Sequence, residues 1–254
     1  MVRKLSKKKP LWLKVIIAFA VTALVGLLVF VAYFIYSYAN SLPYSKSPYD
    51  TARSGDGYQF IDKGGYFELQ PNSPSGKALI MYPGAFAEPQ AYVASLAELT
   101  KAGITVFIIK SPLNFALLDS GAAKRIIGQQ PQINDWYVAG HSLGGVTACE
   151  FAKSNQALIK GLILLGSYCN GQANSLKPKV LSIYATNDGL TELKDVEKSR
   201  TMLPSGAEFV AIEGGNHTQF GTFAKLQPGD KPAAISQDEQ TTQLIQAIRS
   251  FIGD

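Results

Sequence analysis

A serine between glycines follows a short apolar run near the middle of the chain. The run "DWYVAG" is typical of a buried strand, and it leads into "GHSLG" at 140–144, which matches G-x-S-x-G. Small residues let a strand turn sharply into a helix, which leaves the serine strained at the tip with its hydroxyl exposed. The helix that follows also directs amide N–H groups towards this point. We therefore predict that Ser142 is a nucleophile; the alternative is a tight structural turn.

A serine hydroxyl needs a general base, and the chain contains two histidines. His141 adjoins Ser142, so its side chain is expected to point away from the nucleophile. His217 lies in "AIEGGNHTQFG", directly after the last strand-like run. Loops that follow the strands of a parallel sheet meet at the edge where ligands bind. His217 is therefore the predicted base.

The base needs a carboxylate that orients it and fixes its tautomer. Asp188 follows the strand-like run "KVLSIYA" and is the predicted acid, although an aspartate there can also cap the helix expected at 191–202. Asp195 falls within that helix and Glu213 falls nearly inside a strand, so both are less suitable.

Acyl transfer also needs backbone N–H donors for the tetrahedral oxyanion. One is expected from Leu143, the residue after the nucleophile. The other is expected from the loop after the strand-like run "KALIMYP", where Gly84 permits close approach of the backbone and Ala85 is the predicted donor.

Apolar strand-like runs alternate with longer amphipathic stretches through the second half of the chain. A hairpin is expected in "GYQFIDKGGYFELQ", strands in "KALIMYP", "ITVFIIK", "DWYVAG", "GLILLGS", "KVLSIYA" and "AEFVAIEG", and helices near 89–103, 114–130, 142–154, 191–202 and 237–252. This alternation predicts an α/β fold with a mostly parallel sheet covered by helices on both faces.

These segments resemble α/β-hydrolase-fold serine hydrolases, of the small group similar to dienelactone hydrolases and related esterases. The resemblance is carried by "YPGAFAEPQAY", "FIIKSPLNFALL", "VAGHSLGG", "YATNDG" and "EGGNHTQFG", and covers residues 57–252. The order Ser142, Asp188, His217 is the order of that family. Two departures are evident: dienelactone hydrolases use cysteine as the nucleophile, and the usual His-Gly of the oxyanion loop is Pro83-Gly84 here.

The substrate site is expected to be open, because only about a dozen residues separate "GLILLGS" from "KVLSIYA" and no large cap fits there. The long loop after His217 remains a possible lid. Four aromatic residues in loops at strand ends are candidates for an apolar acyl pocket, as alternatives to ordinary packing; they are Phe86, Phe115, Tyr168 and Phe220.

Residues 11–38 are expected to form a membrane anchor. Residues 15–36 are 22 uncharged positions, enough to span a hydrocarbon core of about 30 Å. Trp12 and Tyr38 lie near opposite ends, as in an aromatic belt. The run is longer than the apolar part of a cleavable signal peptide, and the "YAN" that follows is a poor cleavage site.

The anchor divides the chain into a basic cytoplasmic tail (1–10), the transmembrane anchor (11–38), a linker (39–56) and an α/β-hydrolase domain (57–254). Six of the 24 basic residues precede residue 15, and no acidic residue precedes Asp50. The positive-inside rule therefore places the N-terminus in the cytoplasm and the enzyme domain on the other side. Beyond the anchor the charges nearly cancel, so the net charge of +5 gives no argument for nucleic-acid binding.

No metal site is expected, because the two cysteines and two histidines lack metal-ligand spacing. The predicted triad mechanism needs no metal or organic cofactor. Cys149 and Cys169 can form a disulfide outside the cytoplasm or remain two buried thiols. The predicted function is a membrane-anchored serine hydrolase that acts on a small-molecule or lipid-like ester. Acyl transfer or peptidase activity with the same triad, and a catalytically silent binding module, remain alternatives; the sequence does not specify the oligomeric state.

Overall fold

The computed structural model describes residues 10–253 and divides into two units, Met1–Asn40 and Ser41–Asp254. The first unit contains helix α1 (Leu11–Ala39), which is long and apolar enough to cross a membrane. A signal sequence near an N-terminus can meet the same criterion of length and apolar composition. Most of the basic tail expected at 1–10 lies outside the described residues.

The second unit, here called the sheet unit, is built on an eight-stranded sheet of order β1-β2-β4-β3-β5-β6-β7-β8. β1 and β2 form an antiparallel hairpin, β2 pairs antiparallel with β4, and all other pairs are parallel. The predicted α/β fold and its mostly parallel sheet are confirmed. The strands are β1 (Tyr58–Asp62), β2 (Tyr66–Pro71), β3 (Lys77–Tyr82), β4 (Thr105–Ile109), β5 (Asp135–His141), β6 (Gly161–Leu165), β7 (Lys179–Ala185) and β8 (Glu208–Ile212).

Helices cover both faces of this sheet. The side chains of each central strand therefore alternate between two buried apolar clusters. In β6, Ile163 belongs to one cluster and Leu164 to the other, and both are fully buried. This explains why these strands read as continuous apolar runs. The helices are α2 (Lys46–Arg53), α3 (Ala91–Ala97), α4 (Ala122–Gln129), α5 (Leu143–Ser154), α6 (Leu193–Arg200) and α7 (Gln237–Ile252).

The helix expected at 114–130 is shorter than predicted. Two short 3₁₀ turns precede α4, and Leu113 and Asn114 have positive φ angles, which interrupt a continuous helix. Cys149 and Cys169 form a disulfide that joins α5 to the loop after β6. No helix stands between β6 and β7, so the described chain has no cap there.

The segment expected to be a linker, 39–56, is folded from Ser41 onwards and belongs to the sheet unit. Leu42 is buried and pairs with Ala87, and Tyr44 pairs with Phe223. The segment then forms α2, which packs beside α3. Each bridge is a single residue pair, so the segment lacks the periodicity by which a strand is identified.

Candidate active site

The sharp turn at Ser142 joins β5 to α5. Ser142 has φ 53° and ψ −126°, a conformation that costs a non-glycine residue energy. The turn brings backbones so close that a Cβ atom on Gly140 would collide with Gly144, and one on Gly144 would collide with the carbonyl of Tyr82. Both glycines are therefore required by packing. Ser142 itself remains partly exposed at the end of the strand.

A buried hydrogen bond joins the predicted acid and base. His217 Nδ1 lies 2.7 Å from Asp188 Oδ2, and the two side chains are 0% and 1% exposed. Asp188 Oδ1 accepts from the backbone N–H groups of Leu190 and Thr191, at 2.7 and 2.6 Å. Because the carboxylate accepts from Nδ1–H, the other nitrogen of His217 is left unprotonated and able to take a proton.

The end of β6 leaves space for this acid–base pair only because residue 166 is glycine. Gly166 has φ 47°, and a Cβ atom there would lie 3.1 Å from both Asp188 Oδ2 and His217 Nδ1. Its carbonyl accepts a hydrogen bond of 2.8 Å from Thr191 Oγ1. A larger residue at this position would displace the pair.

The imidazole of His217 lies beside the serine turn. Its ring centroid is 4.4 Å from that of His141, the residue before the nucleophile. Among the described residues, His217 Nε2 has no hydrogen-bond partner, so no bond to Ser142 Oγ is formed in this structure. In enzymes of this type without substrate, that bond is often long and shortens only in the reacting complex.

Two backbone N–H groups are free to bind an oxyanion. Neither Leu143 nor Ala85 donates to an acceptor in the residues that the structure describes. In contrast, the amides on either side of Ala85 are occupied: Gly84 N–H donates to Tyr92 Oη at 3.0 Å, and Phe86 N–H donates to the Asn114 carbonyl at 2.6 Å. The predicted donor pair is therefore available, and the loop that carries Ala85 is held on both sides.

Tyr92, which the sequence analysis did not single out, connects this oxyanion loop to the serine turn. Its hydroxyl accepts from Gly84 N–H and lies 2.8 Å from His141 Nδ1, so its own proton is donated to that nitrogen. Burial, followed by repulsion from the protonated form of His217, holds the pKa of His141 well below 6.5. His141 is therefore neutral and supports the loop through its hydrogen bond to Tyr92, which agrees with the expectation that it is not the base.

Asp230 joins the acid loop to the base loop. Its Oδ1 accepts from Gly189 N–H at 2.9 Å, and its Oδ2 accepts from Thr218 N–H at 2.8 Å and Thr218 Oγ1 at 2.6 Å. His217 N–H lies 3.4 Å from Oδ1. These contacts fix the backbones beside Asp188 and His217 relative to each other. The loop after His217 is thus hydrogen-bonded to the acid loop through Asp230.

Residues Ser41–Ser45, here called the strap, lie between the oxyanion loop and the loop after His217. On one side, Leu42 N–H donates to the Phe86 carbonyl at 2.7 Å. On the other side, Ser45 N–H donates to the Thr222 carbonyl at 2.9 Å. The strap therefore bridges the loops that carry Ala85 and His217.

The four predicted pocket residues occupy different environments. The rings of Phe86 and Phe115 are 5.3 Å apart, and both are partly exposed, as a pocket wall requires. Tyr168 is 40% exposed on the loop after β6. The prediction for Phe220 is wrong: it is 0% exposed and packs 5.5 Å from the His141 ring, because the turn at 218–220 points it inwards.

A cleft of about 780 Å³ lies between α3 and α7, but Glu98, Thr241 and Arg249 line it and none of the triad does. Among the residues with described positions, no group of three His, Cys, Asp or Glu side chains is suited to bind a metal ion. The serine turn brings together a partly exposed hydroxyl, an imidazole hydrogen-bonded to a carboxylate, and backbone N–H groups, which are the groups that nucleophilic acyl chemistry uses.

Comparison with known proteins agrees with this architecture. Est1E from Butyrivibrio proteoclasticus superposes with a TM-score of 0.55 at 14% identity, over 78% of this chain and 100% of that chain. Its complex with ferulic acid gives a TM-score of 0.56 at 14% identity, over 78% and 98% of the two chains. An alpha/beta hydrolase enzyme from the metagenome of sediments of the Mar Chica lagoon, Morocco, gives 0.53 at 15% identity, over 63% and 90%.

At such low identity these likenesses show the fold alone. No curated protein matches the chain significantly. The sequence model of the alpha/beta hydrolase family, however, matches residues 78–242, which is more than half of the chain and includes the serine turn, the acid and the base. The chain therefore belongs to the alpha/beta hydrolase family.

Proposed function

We propose that this protein is a membrane-anchored serine hydrolase that cleaves carboxylic esters through a Ser142–His217–Asp188 triad. The observation that carries the proposal is the buried 2.7 Å hydrogen bond between His217 and Asp188, beside a serine held at positive φ. A binding protein has no need of a buried acid–base pair next to a strained, accessible hydroxyl. The esterase-fold neighbours favour an ester as the substrate.

In the proposed reaction, Ser142 Oγ attacks the acyl carbonyl while His217 Nε2 takes its proton. The N–H groups of Leu143 and Ala85 stabilise the oxyanion of the tetrahedral intermediate. The intermediate collapses, the C–O bond breaks, and the alcohol leaves with the proton from His217. Water then attacks the acyl-enzyme and gives a proton to His217. His217 passes that proton to Ser142 Oγ as the acyl–oxygen bond breaks, which releases the acid and restores the serine.

Helix α1 serves as the anchor in this proposal, with the N-terminus in the cytoplasm and the sheet unit on the other side. The cluster of basic residues before residue 15 supports this orientation. The Cys149–Cys169 disulfide also supports it, since disulfides persist in oxidising compartments. Alkaline phosphatase fused to the C-terminus should be active in cells, and a green fluorescent protein in its place should be dark; the opposite pair would reverse the topology.

The enzymatic proposal is tested on the full chain in detergent with a fluorophosphonate probe and p-nitrophenyl esters of several lengths. We expect labelling and turnover by the wild type, and neither by Ser142→Ala nor His217→Ala. Ser120→Ala, which changes an exposed serine, is the matched control and should behave as wild type. A folded wild type that neither labels nor hydrolyses any ester would refute the proposal and favour a binding module.

A further inference from the structure

The exposed leucines of the sheet unit are concentrated at one edge. Of the seven exposed leucines described between Ser41 and Gly253, six follow the carboxyl ends of β4, β7 and β8, the edge that carries Ser142. Their exposed fractions range from 39% to 53%. We name these six the apolar rim; they are Leu113, Leu117, Leu118, Leu190, Leu193 and Leu226.

The distribution separates the apolar rim from ordinary surface leucines. Single exposed apolar side chains are normal on soluble proteins and are scattered over the surface. Here only Leu158, 37% exposed, lies elsewhere; it precedes β6 at the opposite edge of the sheet. Apolar side chains gathered around a reactive site indicate a surface that contacts an apolar partner.

The chain itself indicates which partner this is. The sheet unit begins at the same edge, because the strap that contains Leu42 is hydrogen-bonded to the oxyanion loop. In the sequence, the apolar helix α1 ends at Ala39, so Asn40 is the only residue between that helix and the strap. A chain that leaves a bilayer at the end of α1 therefore reaches the reactive edge within a few residues.

We propose that the apolar rim contacts the bilayer in which the protein is anchored, and that the substrate is an amphiphilic ester resident in that bilayer. This inference rests on the proposed ester hydrolysis and names its substrate class. Leucine side chains at the rim enter the headgroup region, which removes apolar surface from water. The scissile carbonyl of a lipid-like ester lies at this depth, so the ester reaches Ser142 without leaving the membrane.

The first test uses full-length protein in phosphatidylcholine vesicles and two substrates: soluble p-nitrophenyl acetate, and p-nitrophenyl palmitate incorporated in the vesicles. The double variant Leu117→Ser/Leu118→Ser is compared with Leu158→Ser, a leucine of similar exposure at the opposite edge. We expect the rim variant to lose about tenfold in palmitate turnover, since two apolar contacts with lipid are removed, and to keep its acetate turnover. Leu158→Ser should change neither. Unchanged palmitate turnover in the rim variant would overturn the inference.

A second measurement does not depend on activity. Leu118→Trp and Leu158→Trp are each placed in vesicles that contain brominated phosphatidylcholine, where the native tryptophans contribute equally to both. Additional quenching is expected for Leu118→Trp alone, and equal quenching of both variants would overturn the inference. Failure of the proposed function is distinguishable, because the wild type would then turn over neither substrate, while the quenching comparison would still report on contact with the bilayer.

Discussion

The Asp230 carboxylate should be needed for turnover although it does not contact the reacting atoms. It accepts three hydrogen bonds of 2.6–2.9 Å from Gly189 and Thr218, the neighbours of the acid and the base. Each hydrogen bond to a charged group is worth about 1.5–3 kcal/mol, and an unmade bond leaves a donor unsatisfied. Since Asp230 is only half-buried, we expect Asp230→Ala to lower the free energy of unfolding by about 3 kcal/mol, well below the sum of the three.

The effect on activity comes from the position of His217 relative to Ser142. When the two loops separate, His217 moves relative to Ser142, and a displacement of about 1 Å can reduce the rate about 100-fold. We therefore expect Asp230→Ala to reduce kcat about 100-fold while KM stays within about threefold. Asp230→Asn should fall between Asp230→Ala and wild type, because an amide keeps one acceptor oxygen.

The assay is steady-state hydrolysis of a soluble p-nitrophenyl ester by full-length protein in detergent, with thermal melts of each variant. Asp238→Asn, at an exposed aspartate of the first turn of α7, is the control for a change of charge. If Asp230→Ala melts at a lower temperature but keeps the wild-type kcat well below its Tm, Asp230 has a structural role only, and the reasoning about position is refuted.

Three further predictions concern the supports of the oxyanion loop. Leu42→Pro removes the N–H that binds the Phe86 carbonyl and should lower kcat about tenfold. Leu42→Ala keeps that N–H and should lower Tm but leave kcat unchanged. Equal kcat values for the two variants would contradict the role of the strap. Tyr92→Phe removes the acceptor of Gly84 N–H and should lower kcat about tenfold with little change in KM, and a change in KM alone would argue for a substrate contact instead. The pKa of His141 is depressed on folding, so the unfolded chain binds its proton more readily and stability is lost as pH falls below 6.5, by up to about 1.4 kcal/mol per pH unit. In melts of His141→Gln at several pH values, this part of the dependence of stability on pH should be absent. An unchanged dependence on pH would assign it to other groups.

Local patterns in the sequence specify the sheet, and they also place Ser142, Asp188 and His217 at one edge of it, so both could be predicted. Buried parallel strands require continuous apolar runs, and the close approach at the serine turn requires the glycines around Ser142. Asp188 and His217 each follow such a run, so the topology brings them to one edge before any contact is known.

Phe220 shows where this reasoning ends. It lies in a loop at a strand end, as a pocket residue would, but a single 3₁₀ turn directs its ring into the core. Loop direction depends on a few backbone angles that composition does not specify. For the same reason the two positive φ angles at Leu113 and Asn114 were not foreseen, and the helix expected from 114 begins at Ala122 instead.

The supporting residues were missed for a different physical reason. Asp230 and the strap act mainly on backbone N–H and carbonyl groups that are distant in sequence: Ser45 bonds to Thr222, 177 positions away, and Gly189 bonds to Asp230, 41 away. Backbone groups are the same at every residue, so no side-chain pattern marks such partners. The oxyanion donors are themselves backbone groups that no side-chain substitution replaces directly. Their placement therefore depends on the long-range contacts that local sequence patterns reveal least, and the strap, which reads as an unstructured linker, is one of them.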